Sequence, residues 1–241
     1  MIYDIAGLRI SIENRCQYTD HFCKAYLSDD QTSPVDLHTK VSNEEFYEEK
    51  KFSPNFPDGY IENICLYRGI CKQLPVLDRL LLHSAILEIG GDGYAFLGRS
   101  GTGKSTHTGL WIKYLKGVSI VNGDKPILQY KDGEFIAYGT PWNGKEGLGR
   151  NTSAPLKGLC FLEQAKENAI RQLSPSEASA KVLGQILFPS DQANAEITLE
   201  LADKLISVTP CWLLQCDISE NAVKTCFEGM TGKKYEEFKN K

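Results

Sequence analysis

Leu97-Gly98-Arg99-Ser100-Gly101-Thr102-Gly103-Lys104-Ser105-Thr106 decides how the rest of this chain is read. Gly98, Gly103, Lys104 and Ser105 meet the spacing GxxxxGK[ST]. The almost wholly apolar run Tyr94 to Leu97 precedes them as a predicted strand, and Thr106 to Leu115 follows as a predicted helix that Gly117 ends. Glycines let the backbone wrap an anion, so that successive N–H groups and the positive end of the helix point at phosphates. Lys104 then reaches the β- and γ-phosphates, and the Ser105 hydroxyl ligates Mg²⁺. The expected nucleotide-binding set is Gly98, Ser100, Gly101, Thr102, Gly103, Lys104, Ser105 and Thr106. A glycine-rich turn that caps a helix without a ligand is the alternative. A lysine and a hydroxyl standing where the chemistry wants them favour the phosphate loop. Motors, switches and kinases all use such a loop, so the loop alone does not name the reaction.

Outward from it, His83 to Ile89 reads as a strand, Gly90 to Gly93 as a tight turn and Val118 to Val121 as the next strand. Asn122-Gly123-Asp124-Lys125 follows. Asp124, at a strand end, is placed to hold Mg²⁺ opposite Ser105; the alternative is a turn aspartate in an Asn-Gly-Asp bend. His83, at the start of its strand, is either a structural histidine or a proton carrier. His107 reads as packing or rim, and His21 and His38 have no arguable partners. Gly139 to Arg150 is a long polar, glycine-rich loop, a type that is usually functional or mobile. In it Lys145 or Arg150 either neutralises charge on a transferring phosphoryl group or simply makes an exposed basic loop.

Further strands are expected at Ile127 to Tyr130 and Phe135 to Tyr138, a hairpin around Asp132-Gly133, and at Leu156 to Leu162 and Cys211 to Asp217. Helices are expected from the capping box Ser174 to Glu177 as far as Leu187, over Asn194 to Ile206 and over Glu220 to Gly229. The order is mixed α/β. Before residue 78 the reading is β-rich. It has a strand over Ile5 to Glu13, loops and edge strands from Ser28 to Tyr60, a strand over Ile61 to Tyr67 and a short helix within Leu74 to Leu82. Two domains are expected, residues 1–77 and 78–241.

The 241 residues are 41% hydrophobic and 24% charged, an ordinary globular composition. A net charge of −4 gives no global field to attract nucleic acid or an anionic membrane, and neither partner is expected. Leu80 to Ile89 is too short and too interrupted by charge to span a bilayer. The eight cysteines are dispersed without a CxxC pair, and no basic-then-apolar leader opens the chain. Reduced thiols, no zinc site and a cytoplasmic location are expected.

LHSAILEIGGDGYAFLGRSGTGKSTHTGLW, IVNGDKPIL and YGTPWNGKEGLGRNTSAPLKGLCFLE together resemble the kinase domain of HPr kinase/phosphorylase and its relatives, within the phosphoenolpyruvate carboxykinase-like fold. The resemblance runs from about Leu80 to Leu173. It implies ATP and Mg²⁺ as cofactors, a serine hydroxyl of a peptide or small protein as acceptor, and a homo-oligomer. It assigns nucleotide binding to Gly98, Gly103, Lys104 and Ser105, the metal to Ser105 and Asp124, and the family's histidine to His83. With Arg150 added as the loop's cation, the expected catalytic set is His83, Lys104, Asp124 and Arg150. Members of the family carry two adjacent aspartates after this strand. Here the first matches Gly123, which leaves the proton to Asp124 or to a residue outside the motif. The expected function is an ATP- and Mg²⁺-dependent kinase. The alternatives are a non-catalytic nucleotide sensor, favoured by Gly123, and a kinase of a free amino acid or small metabolite.

Overall fold

Residues 1–240 are described by the structure, a computed structural model. Strands β1 (Ile2–Ile5) and β2 (Leu8–Glu13) form an antiparallel hairpin through a turn that holds Ala6 and Gly7 at positive φ. That turn splits the single strand expected over Ile5 to Glu13. Helix α1 (Gln17–Phe22) follows, then β3 (Leu37–Lys40), which pairs parallel with β2 to complete a three-stranded sheet. The N-terminal sheet was expected; the helices laid on it were not. Helix α2 (Asn43–Phe52) occupies a stretch read as loop. Its start is fixed by a reciprocal capping box in which Ser42 and Glu45 satisfy each other's backbone N–H.

The strand expected over Ile61 to Tyr67 is instead the middle of helix α3 (Asp58–Gln73). Its buried residues Glu62, Leu66 and Ile70 recur every four positions, as do Asn63, Tyr67 and Cys71. A seven-residue window was too short to separate this period from strand alternation. Glu62 is only 1% exposed, yet its carboxylate accepts from the backbone N–H groups of Arg15 and Cys16, both at 2.8 Å, at the entry to α1. A turn of 3-10 helix at Pro75–Leu77 stands in place of the helix expected within Leu74 to Leu82, and the chain then enters β4 (Arg79–Leu81).

The second sheet has nine strands. In chain order the elements are β5 (Ala85–Ile89), β6 (Asp92–Leu97), α4 (Lys104–Tyr114), β7 (Val118–Asn122), β8 (Ile127–Lys131), β9 (Glu134–Tyr138), β10 (Ser153–Gln164) and β11 (Ala169–Gln172). They continue with α5 (Pro175–Leu183), α6 (Gln192–Val208), β12 (Cys211–Cys216), α7 (Glu220–Thr231) and α8 (Tyr235–Phe238). The strand order is β4-β8-β9-β10-β6-β5-β7, with β12 pairing β10 and β11 pairing β12. β10 joins the two halves. Its first residues pair antiparallel with β9, and its remainder runs parallel to β6 on one side and β12 on the other. β6, whose end leads into α4, thus lies between parallel β10 and antiparallel β5.

Strand alternation sorts the core. Ala95, Leu97, Leu159 and Phe161 face α5 and α6, whereas Tyr94, Phe96, Cys160 and Leu162 face α4, α7 and α8. The three-stranded sheet, α1 and α3 enclose a further cluster that also takes in Leu81, Ile127 and Trp142 of the larger sheet and its loop. All eight cysteines are free. Among the described residues no helix is long and apolar enough to cross a membrane.

Candidate nucleotide site

The turn after β6 is built from local requirements. Gly98, Gly101 and Gly103 all have positive φ, and a Cβ at Gly101 or Gly103 would meet nothing within 4 Å. Those two glycines open on free space in front of the turn, a cradle for an anion. Thr102 closes the turn from within: its N–H and hydroxyl both donate to the Arg99 carbonyl, at 3.2 and 2.9 Å. Helix α4 begins at Lys104, so its unpaired N–H groups face the cradle. The Lys104 ammonium folds back onto the Gly98 carbonyl at 2.8 Å. Burial lowers its pKa, and the negative charge of Asp124 works against that lowering. One side of the turn continues into a cleft of about 390 Å³ lined by Thr106, Leu110, Leu162, Gln164, Asp217 and Ile218. Half-open, largely apolar clefts with a few polar groups suit a planar base.

Asp124 stands in the turn after β7. Buried Asn122 makes that turn: its Oδ1 accepts from the N–H of Asp124 at 2.9 Å and of Lys125 at 2.7 Å, while its Nδ2 donates to Thr140. The bend reading of Asn-Gly-Asp is thus structurally correct, and the bend aims the Asp124 carboxylate. His83 Nε2 lies 3.2 Å from Asp124 Oδ1, and Lys125 Nζ lies 2.8 Å from Oδ2. Burial on its own raises the Asp124 pKa. The hydrogen bonds and charges of His83 and Lys125 outweigh that and hold it at about 2. Asp124 is therefore an anion throughout the neutral range, able to attract a metal and poor at accepting a proton. Backbone geometry keeps the group together, because His83 N–H donates to the Gln185 carbonyl and Ser84 N–H to the Asp124 carbonyl.

The phosphate-loop side and the Asp124 side meet. Ser105, Gly123, Glu146 and Leu148 line one small cavity. Arg150 does not join them: its Nε donates to the Ile120 carbonyl at 3.2 Å, which ties the guanidinium along β7. Lys145 is exposed on the loop. His107 is buried, its Nε2 accepts from Trp111 Nε1 at 3.1 Å, and burial lowers its pKa to about 4. That is the packing role expected for it.

Sequence reasoning missed three neighbours. Lys125 neutralises Asp124 and sits over the Tyr67 ring at 5.7 Å, which brings α3 up to the site. Tyr67 in turn packs on Trp142 at 4.9 Å between ring centroids. Glu146 is the third. Lys125 adjoins Asp124 and Glu146 adjoins Lys145, so both are findable beside residues the sequence singles out; Tyr67 depends on how a distant segment folds onto the site. Among the described residues no group of three His, Cys, Asp or Glu side chains is arranged to hold a metal.

No family model matches the sequence, and no curated protein matches it. Among solved structures, the HPr(Ser) kinase/phosphatase from Coxiella burnetii is similar over 63% of this chain and 93% of its own, at 14% identity and a TM-score of 0.35. The likeness is weak and one of fold only.

Proposed function

We propose that this chain is an ATP- and Mg²⁺-dependent kinase that transfers the γ-phosphoryl group to a hydroxyl, that of a serine in a peptide or small protein. The observation that carries the reading is the convergence of the glycine cradle at 98–105 with the His83–Asp124 pair: Ser105 and Gly123 line the same cavity, and Lys104 lies within the field of Asp124. Neither half alone implies transfer. A phosphate cradle by itself binds a nucleotide without naming the acceptor.

In this reading the amides of residues 98–106 and Lys104 hold the triphosphate, and the cleft bounded by Leu110, Leu162 and Ile218 takes the base. Ser105 and Asp124 would hold Mg²⁺, which would neutralise phosphate charge. Asp124 accepts the Nε2–H of His83 and so fixes the tautomer, leaving Nδ1 to take the acceptor hydroxyl's proton. The ring is about a third exposed, so an acceptor can reach it. Lys104 swings from the Gly98 carbonyl to the transferring group, and the rest of the rate comes from positioning. We read residues 1–77 as a domain that contacts this site through Tyr67 and Trp142, where an acceptor would pass.

A nucleotide sensor is the second reading, supported by Gly123 and by the engagement of both Asp124 oxygens. Labelled ATP with a library of serine-containing peptides separates the two. Phosphopeptide formed by the wild type and reduced about a hundredfold or more by His83→Gln supports the kinase. ATP binding with no transfer to any acceptor sinks it.

A further inference from the structure

A cation on the terminal phosphate, besides the loop lysine, steadies the charge that transfer develops, yet neither residue expected to supply one is held at the site. Arg150 is exposed and its Nε donates to the Ile120 carbonyl at 3.2 Å, and Lys145 is exposed on its loop. The cation that the fold does bring in is Lys125, one residue beyond Asp124. Its Nζ lies 2.8 Å from Asp124 Oδ2, while His83 Nε2 meets the other oxygen at 3.2 Å. Lys104 feels the charge of the same Asp124. Two ammonium groups thus act on one carboxylate, one from the glycine turn and one from the turn after β7.

The backbone of Lys125 is fixed, whereas its ammonium is free to move. The N–H donates to Asn122 Oδ1 at 2.7 Å, the carbonyl accepts from the Thr140 hydroxyl at 2.8 Å, and the Pro126 carbonyl accepts from Leu82 N–H at 3.3 Å. The side chain is 39% exposed, with Nζ bonded to Asp124 and 5.7 Å from the centroid of the Tyr67 ring. A lysine pinned at its root and open at its tip can exchange one anion for another, because its stem is flexible and its charge compact. A terminal phosphate offers it about −1.5 to −2 charge against the single charge of a carboxylate. Lys104 rests in the same manner, folded back onto the Gly98 carbonyl.

We propose that Lys125 is a catalytic cation that leaves Asp124 to contact the γ-phosphate of bound ATP, the duty that the sequence alone gives to Lys145 or Arg150. The inference rests on the kinase reading and deepens it by naming the group that faces the transferring phosphoryl from the Asp124 side. In that transfer the bond from phosphorus to the β–γ bridging oxygen breaks as the bond to the acceptor oxygen forms, the hydroxyl proton goes to His83, and ADP leaves. The terminal oxygens stay anionic throughout, and Lys104 and Lys125 hold them from two sides. The same movement frees Asp124 Oδ2.

The test is calorimetric titration of ATP and of ADP, in EDTA at about 0.15 M salt, into the full chain and into Lys125→Met, which keeps the stem and removes the charge. At that ionic strength charges more than about 8 Å away are largely screened, so the extra affinity for ATP reads contacts to the γ-phosphate. The wild type should bind ATP more tightly than ADP, and Lys125→Met should lose about tenfold in ATP affinity while its ADP affinity stays within about twofold. An unchanged ADP affinity also shows that the variant is folded. The comparison is repeated in an Asp124→Asn background, where no carboxylate is left for Lys125 to neutralise, and the ATP-specific loss should persist there. If the preference for ATP survives Lys125→Met, if both nucleotides weaken equally, or if the loss vanishes in the Asp124→Asn background, Lys125 does not touch the phosphate and this inference falls while the kinase reading stands. If the wild type binds neither nucleotide, both fall together.

Discussion

Asp124→Asn tests the electrostatics of the site without any knowledge of the acceptor. The folded carboxyl is held at about 2 against an ordinary 3.8, a difference worth about 2 kcal/mol at roughly 1.36 kcal/mol per pKa unit. Because the folded value is the lower one, that stabilisation is fully present above pH 4 and disappears as pH falls from about 4 through 2. His83 and Lys125 are each more than a third exposed, so in the variant they return to water and leave no stranded buried charge. The amide should therefore cost about 2 kcal/mol of unfolding free energy at pH 7, and close to nothing near pH 2. Urea unfolding of both proteins at intervals from pH 7 to pH 2.5 gives the difference directly. A deficit that keeps its size across the whole range would mean that lost packing, not lost charge, explains it. A wild type and variant that match at pH 7 would remove the His83–Asp124–Lys125 network from the account altogether.

Lys104→Ala should abolish the stabilisation by nucleotide: ATP at a hundred times its dissociation constant adds about 2.7 kcal/mol to a native state that binds it, and equal thermal shifts in both proteins would remove Lys104 from the site. His107, held neutral by burial at a pKa of about 4, should make the protein less stable as pH falls from 6.5 to 4, because the unfolded chain takes up the proton first. The loss is about 3 kcal/mol, and His107→Gln should show a correspondingly shallower slope in that window; parallel slopes would count against the burial argument. Gly123→Ala puts a methyl group 2.8 Å from the Asn143 carbonyl oxygen and should cost about 1 to 3 kcal/mol. An unchanged urea midpoint would show that the loop does not close over that position.

What could be read from the sequence followed the range of the interactions that make it. The strand, glycine turn and helix around residues 94–114 are legible because all their causes lie close together: an apolar strand, glycines at the positive-φ positions and a helix start at Lys104. The bend at Asn122 and the capping boxes at Ser174 and Ser42 are equally local, although the one at Ser42 is masked by a stretch dense in charge. The N-terminal helices were lost for a different reason. Glu62, a charged residue in the middle of α3, reads as a break in an apolar face until α1 is seen to need its carboxylate, 47 residues away in sequence. Arg150 reads as a cation in a polar loop, and nothing local foretells that its Nε donates to the Ile120 carbonyl of β7.

Gly123 explains the shape of the site. An aspartate at 123 and the observed path of residues 143–148 exclude each other, since a side chain there meets two carbonyl oxygens at or below 3.0 Å. With glycine, the loop can close to Gly144 on Asp124, and closing it carries Trp142 into contact with Tyr67 of α3. Lys125 stands between those two events, bonded to Asp124 on one side and over the Tyr67 ring on the other. The loop, the acid and the N-terminal helix are thus held by one continuous set of contacts. A change in α3 that displaces Tyr67 should therefore be felt at Asp124, although the two segments share no stretch of sequence and no sheet.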